Sequence, residues 1–492
     1  MKFRNKILAA SLASLLSLGC LTSCDYLDID PEDSVPEESV DYTDLSNMYA
    51  PVSGVYGKLR TGGTHWVINM MTVIRDGDVW SGRVDDQGDL VNIGRNFTYG
   101  SFWGIKEMWN QYYGIIKTAN AALESLEGYA ANITDQTTMA KNLSYQGEVR
   151  IIRAYAYYRL AQEFGAVTIL RSNDQTDMRR STRDAVLRYA LEDLEFAISN
   201  CETVHPKNAE HTGAYTSYTA AALAAKAYLI LGDYANVERT TSYIINSNKF
   251  DLYSDYYQLF KTPGQLCEES LMEVQATDFG MGSGDQVTVD CFFIACGPGL
   301  SNSELNTSIG GWNFVGYEDS FQQWAAARGE TVRTETSFLR ADTTTPSGDY
   351  VQRNGNAQNT DCWNGKWYLP IDQLTPGRTD YGGANNVRII RYAEVLLMNA
   401  EALVRQGKSG DTPFNKVRTR AQMPTLSGVT VDQILDERRM ELCCEWGTRY
   451  EDLMRTGQAA SVLPNWTADK AYYPVPTDHE ADYPELREDP IE

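Results

Sequence analysis

The chain has 492 residues and carries 66 acidic against 43 basic side chains, a formal charge of −23. An excess that acidic repels a phosphate backbone and anionic lipid headgroups, so nucleic acid is excluded as a partner while neutral ligands stay open. The length admits one large domain or two to three ordinary ones, each with an ample core.

The first element is a leader. Lys2, Arg4 and Lys6 precede a short apolar run from Ile7 to Leu18, too short for a comfortable membrane span. It ends in Leu21-Thr22-Ser23-Cys24, where the small residues before the cysteine suit a lipoprotein signal peptidase. Residues 1–23 are therefore predicted to be removed, leaving an acylated Cys24 at the new N-terminus. Each buried methylene contributes about 0.8 kcal/mol to membrane attachment, so two or three acyl chains hold firmly. Residues 24–42 are rich in Asp and Glu, hold Pro31 and Pro36, and lack any basic residue. They read as an extended acidic tether.

Residues 43–260 read as helical. Apolar residues recur at helical spacing over Tyr42 to Leu59, Trp103 to Leu126, Met139 to Phe164 and Thr182 to Ser199, with Gly165 closing the third. Tyr215 to Phe250 is the clearest unit. An alanine-rich helix, a break at Gly232-Asp233 and a return helix over Tyr234 to Ile245 give the tetratricopeptide pattern. From 261 to 385 helical periodicity fades among glycines and threonines, and the block holds Trp312, Trp324, Trp363 and Trp367. So long a stretch without regular structure points to functional loops. In 386–492 helices are predicted over Val387 to Gln406, Thr412 to Arg420 and Val431 to Trp446, with none in the last twenty residues.

Little in the chain points to catalysis. The four histidines form no H-E-x-x-H, there is no G-x-S-x-G elbow, and Gly365-Lys366 lacks the rest of a phosphate loop. Asp85-Asp86-Gln87-Gly88-Asp89 reads as a solvated turn rather than a calcium loop. No catalytic residue, metal or cofactor is assigned, and the protein is not expected to be an enzyme. Of nine cysteines, seven lie beyond Cys20 and Cys24, so at least one stays free unless it pairs between chains. Cys291 and Cys296 could pair, though buried free thiols are the favoured reading.

Several segments together resemble the SusD/RagB family of nutrient-binding outer-membrane lipoproteins. They are the leader with Cys24; Trp109-x-x-x-Tyr113; Glu148-x-Arg150-x-x-Arg153-Ala154-Tyr155; Arg391-Tyr392-Ala393-Glu394 with Ala400-Glu401-Ala402-Leu403; Glu437-Arg438-Arg439-x-Glu441; and Tyr473-Pro474-Val475-Pro476. Trp446 between Glu445 and Gly447 is a departure from that pattern. The resemblance implies a mainly α fold in which tetratricopeptide-like helix pairs support a loop-rich ligand-binding region. It also implies an outer-membrane location facing the cell exterior, and pairing with a TonB-dependent transporter that imports a captured glycan. The motifs themselves read as scaffold, with Glu394 and Glu401 expected to meet Arg391, Arg418 or Arg438.

The binding face is argued from chemistry. Sugar rings present apolar C–H faces that stack on aromatic planes, while Arg, Asn and Asp bond the hydroxyls. Loop aromatics are the candidates: Trp66, Trp80, Trp103, Trp312, Tyr317 and Trp363, with Arg75, Asp78 and Arg83 as polar partners. At least two of the tryptophans are expected to line the site, in a shallow platform centred on Trp80 and Trp312. A peptide- or protein-binding scaffold, and a lipid-anchored glycan-degrading enzyme, are the alternative functions.

Overall fold

The computed structural model describes residues 40–81, 86–276, 295–297, 311–353, 361–374 and 384–492. Cys24, Arg83 and Cys291 lie outside them. Two compact units divide the chain, Met1–Leu45 and Ser46–Glu492. Of the first, residues 40–45 are described, and there Asp41 accepts the Thr43 amide at 2.9 Å.

The second unit opens with helices α1 (Ala50–Lys58) and α2 (Trp66–Val73), strand β1 (Val79–Ser81) and helix α3 (Gly88–Asn96). Five longer helices follow: α4 (Trp103–Ala130), α5 (Gln136–Phe164), α6 (Arg183–Asn200), α7 (Ser217–Leu231) and α8 (Tyr234–Asn246). Each packs on its sequence neighbour, α4 on α5, α5 on α6, α6 on α7 and α7 on α8, so the array grows like a solenoid. The local chemistry fits. Asp135 and Thr182 cap α5 and α6 by accepting the amides of Thr138 and Ala185, and Gly232 ends α7 at φ +72. The alanines of α7 are buried, which lets its neighbours approach closely.

The middle block is more regular than expected. It holds β2 (Ser270–Val274), β3 (Val315–Tyr317), α9 (Asp319–Ala327), α10 (Val332–Ser337), β4 (Phe338–Arg340), the short pair β5 (Thr343–Thr344) and β6 (Tyr350–Val351), and β7 (Cys362–Asn364). A four-stranded antiparallel sheet runs β1-β3-β7-β4, so a strand from the N-terminal region completes the sheet of the middle block. Strands of three residues are too short to show an alternating pattern.

The C-terminal region begins with β8 (Val387–Arg391), followed by α11 (Tyr392–Arg405), α12 (Asp411–Arg420), α13 (Val431–Glu441), α14 (Thr448–Arg455), α15 (Ala459–Val462) and α16 (Thr477–Asp482). The helix predicted from Val387 thus starts five residues late. Val387, Ile389 and Ile390 are β-branched and buried, and the segment pairs with β2 instead. The helix predicted to Trp446 ends at Glu441, and the tail contains the short α16.

Buried ion pairs tie this region together. Arg391 meets Glu269 at 2.6 Å, Glu441 at 3.1 Å and Glu445 at 2.7 Å. Arg333 meets Glu330 and Glu437, both at 2.6 Å. Glu394 pairs with Lys226 and lies 3.7 Å from Arg438, whereas Glu401 takes Arg455 at 2.7 Å. Of the expected partners for Glu394 and Glu401, only Arg438 is within reach; Arg391 and Arg418 are spent on other glutamates. Six cysteines among the described residues are buried free thiols: Cys201, Cys267, Cys296, Cys362, Cys443 and Cys444.

Candidate functional site

Three of the six candidate aromatics converge. Trp66 and Trp103 are the first residues of α2 and α4, and Trp312 precedes β3. The Trp66 ring centroid lies 5.8 Å from that of Trp103 and 5.6 Å from that of Trp312, with planes inclined by 67° and 75°. Phe314 stacks on Trp66 at 5.2 Å and 22°, so one face of that indole is already covered. Trp66 and Trp312, together with Leu374, pack against the buried Leu369. Trp103 is 43% exposed, and its indole N–H donates to Gln87 Oε1 at 3.0 Å. The surface is stepped rather than flat.

Local structure explains the convergence. His65 caps α2, its Nδ1 accepting the Val67 amide at 3.2 Å, which leaves the ring's proton on Nε2. Burial lowers the imidazole's affinity for a proton, with Glu107 pulling weakly the other way, so His65 stays neutral near pH 7. Its ring lies 6.1 Å from Trp103, edge to face. Gly104 lets the two helix starts meet: a β-carbon there would come within 2.5 Å of Phe102, 2.8 Å of Val67 and 2.9 Å of Met71. The Trp312 loop is pinned by the Asn313 and Phe314 amides, which donate to Gly297 and Ala295 at 3.0 and 3.1 Å. At Gly311 the backbone passes so close to Gly297 that a β-carbon would fall 2.4 Å away.

The other candidates sit elsewhere in this structure. Trp80 is 2% exposed, in β1 opposite Gly316. Tyr317 is buried between Phe321 and Phe338. Trp363 is buried, and its indole N–H donates to Asn313 Oδ1 at 2.7 Å. It supports the residue beside Trp312 from below. Arg75 is buried against Glu163 and lies over the rings of Tyr450 and Tyr473 at 4.4 and 4.0 Å. Asp78 is buried and accepts Arg439 Nε at 2.8 Å. A ring packed on both faces cannot stack on a sugar, and a carboxylate held by an arginine inside the fold cannot reach a hydroxyl. The candidate platform, the aromatics that come together, is therefore Trp66, Trp103 and Trp312, with Trp80 buried apart from them. His65, Gln87 and Phe314 were missed as its supports. The sequence does carry one signal, His65 immediately before Trp66 at a helix start. Among the described residues, no group of three or more His, Cys, Asp or Glu is placed to hold a metal ion.

Residues 305–488 match the SusD family, and residues 25–229 match a family described as starch-binding and associating with the outer membrane. The chain belongs to the SusD/RagB family. A SusD-like protein of Bacteroides ovatus is 24% identical, over 91% of this chain and 82% of that one. Surface glycan-binding protein A from Bacteroides thetaiotaomicron, solved in complex with laminarihexaose, superposes with a TM-score of 0.77. It is 23% identical, with 90% of this chain and 98% of that one covered. A crystal structure with xylogluco-oligosaccharide gives a TM-score of 0.74 at 20% identity, over 90% of this chain and 99% of that one. At such identities the superpositions establish a SusD/RagB fold. Surface glycan-binding protein A is described as a binding protein, and none of the three relatives is described as an enzyme.

Proposed function

We propose that this protein is a surface-exposed, lipid-anchored glycan-binding protein of the outer membrane that captures an oligosaccharide and hands it to a TonB-dependent transporter. The observation that carries the binding step is the cluster of Trp66, Trp103 and Trp312 on a fold whose solved relatives hold laminarihexaose and xylogluco-oligosaccharide. Its tilted rings suit a glycan whose successive sugars turn relative to one another. A neutral ligand also agrees with the charge of −23. The Leu21-Thr22-Ser23-Cys24 tetrapeptide supports the anchor, and family membership supports the transporter partnership.

Affinity electrophoresis of the purified protein on laminarin, xyloglucan, starch and cellulose derivatives tests the binding step. At least one polysaccharide should retard the native protein, and Trp103→Ala should migrate more freely. A native protein that none of these retards would overturn the glycan reading in favour of a peptide-binding scaffold. For the anchor, Cys24→Ala should lose detergent-phase partitioning or keep its leader. For the partnership, gentle solubilisation of native membranes should co-purify a large β-barrel.

A further inference from the structure

We propose a second saccharide subsite, in the groove between α4 and the C-terminal segment that carries α16. The proposal rests on the platform reading above and extends it. The groove has a volume of about 250 Å³ and is lined by Trp109, Asn110, Tyr113, Lys117, His479 and Tyr483, among others. Tyr113 and Tyr483 supply aromatic surface and Asn110, Lys117 and His479 supply polar groups, the mixture that stacks on sugar faces and bonds their hydroxyls. Trp109, only 4% exposed, packs against Tyr113 and His479 and supports them.

Geometry links the groove to the platform. Trp103, Lys106, Asn110, Tyr113 and Lys117 recur at spacings of three and four, so they share one face of α4. Trp103, Lys106, Asn110 and Lys117 are exposed and Tyr113 half-buried. From Trp103 to Lys117 the helix rises about 21 Å, a span for an oligosaccharide rather than a single sugar. Along that face Lys106 pairs with Asp478, which fixes α16 beside the helix. His479 Nε2 and Asn110 Oδ1 meet at 2.8 Å, and Trp109 lies 6.1 Å from the His479 ring. Tyr113 donates to the Thr168 carbonyl at 2.9 Å, holding its ring in place. Tyr483 is 39% exposed, so its ring is open to a ligand in the groove. Lys117 has no ion pair among the described residues and remains a donor for hydroxyls. The chain's net charge of −23 disfavours a polyanion, so a neutral glycan continuing from Trp103 is the occupant.

The test uses the full mature chain and matched tri- and hexasaccharides of the laminari, cello, malto and xylogluco series. Tyr483→Ala and His479→Ala should weaken a bound hexasaccharide about tenfold and leave the trisaccharide unchanged, while Trp103→Ala weakens both. Tyr483→Phe should retain native affinity, and thermal melting should show every variant folded. Hydrogen exchange should slow at residues 479–487 when the hexasaccharide binds. Unchanged hexasaccharide affinity in both groove variants, with Trp103→Ala still defective, would overturn the subsite and leave the platform standing. Loss in the groove variants with a native Trp103→Ala would uphold the groove and sink the platform. Failure of every hexasaccharide to bind would overturn both. Protection of residues 479–487 by a peptide library instead of sugars would overturn the subsite as a saccharide site.

Discussion

Six aromatic side chains of the same chemistry divide by what lies on their faces. Trp103 is 43% exposed and Trp80 only 2%, so identical substitutions should have opposite effects. Trp103→Ala should cost about 1–3 kcal/mol of glycan binding, by analogy with base–aromatic stacking, and leave the melting temperature nearly unchanged. Trp80→Ala should cost about 3–5 kcal/mol of stability, while the folded fraction binds as the native protein does. Calorimetry and thermal melting on both variants decide the matter; comparable melting curves would show that Trp80 is not a core residue. The sequence could nominate these rings but not sort them. Trp80 is buried by a strand distant in the chain, and Arg75 and Asp78 are consumed by Glu163 and Arg439, partners no local pattern reveals.

At the scale of elements, the meeting of α2 and α4 sets the platform. Gly104 lies where they touch, with Phe102, Val67 and Met71 all closer than a β-carbon tolerates. Gly104→Ala should push the starts of the two helices apart and separate Trp66 from Trp103. The expected result is weaker glycan binding with every tryptophan still present, together with a loss of about 1–3 kcal/mol of stability from overpacking. Native affinity in a folded Gly104→Ala protein would mean that the two rings act independently. The long helices α4 to α8 were legible because an apolar stripe repeats many times along them. The strands β1, β3, β4 and β7 were not, since three residues carry no period and their partners come from remote parts of the chain. At β8 a short apolar run fitted either state, and pairing with β2 chose the strand.

For the whole molecule, opposed carboxylates shape stability against pH. Burial alone would raise Glu441, yet Arg420, Arg391 and Arg333 hold it down at about 2; Asp452, between Arg438 and Arg455, is likewise held at about 2. Both have folded values below their unfolded ones. Their contribution is present above pH 4.5 and is lost as pH falls through about 2. Glu148 is the reverse case. Burial raises its carboxyl to about 8, against hydrogen bonds from Tyr56 and Tyr49 and with help from Glu202 and Glu210. Its contribution is full below 4.5 and is lost as pH rises through about 8. Melting temperature should therefore peak near pH 5 and decline on both sides. Glu148→Gln, an isostere of the protonated acid, should flatten the decline between pH 5 and 8 and leave the acid limb alone. A native protein with a flat profile over that range would show that Glu148 ionises freely. Glycan affinity should stay level between pH 7 and 8, because burial favours the neutral form of His65.

The buried thiols make the protein its own strain gauge. A thiolate is the species that reacts with an alkylating reagent, and burial both hides these sulfurs and pushes the thiol of Cys267 up to about 11. Labelling can proceed only from opened conformations, so each modification rate measures the free energy of exposing one locality. The positions are well spread. Cys201 abuts Gly147 in the helical array, Cys362 lies in the four-stranded sheet, and Cys443 and Cys444 follow α13 beside the buried glutamates. Mass spectrometry of a timed labelling course would then rank the helical array, the sheet and the C-terminal hub by how readily each comes apart, and ligand added during the course would slow first the region that it braces.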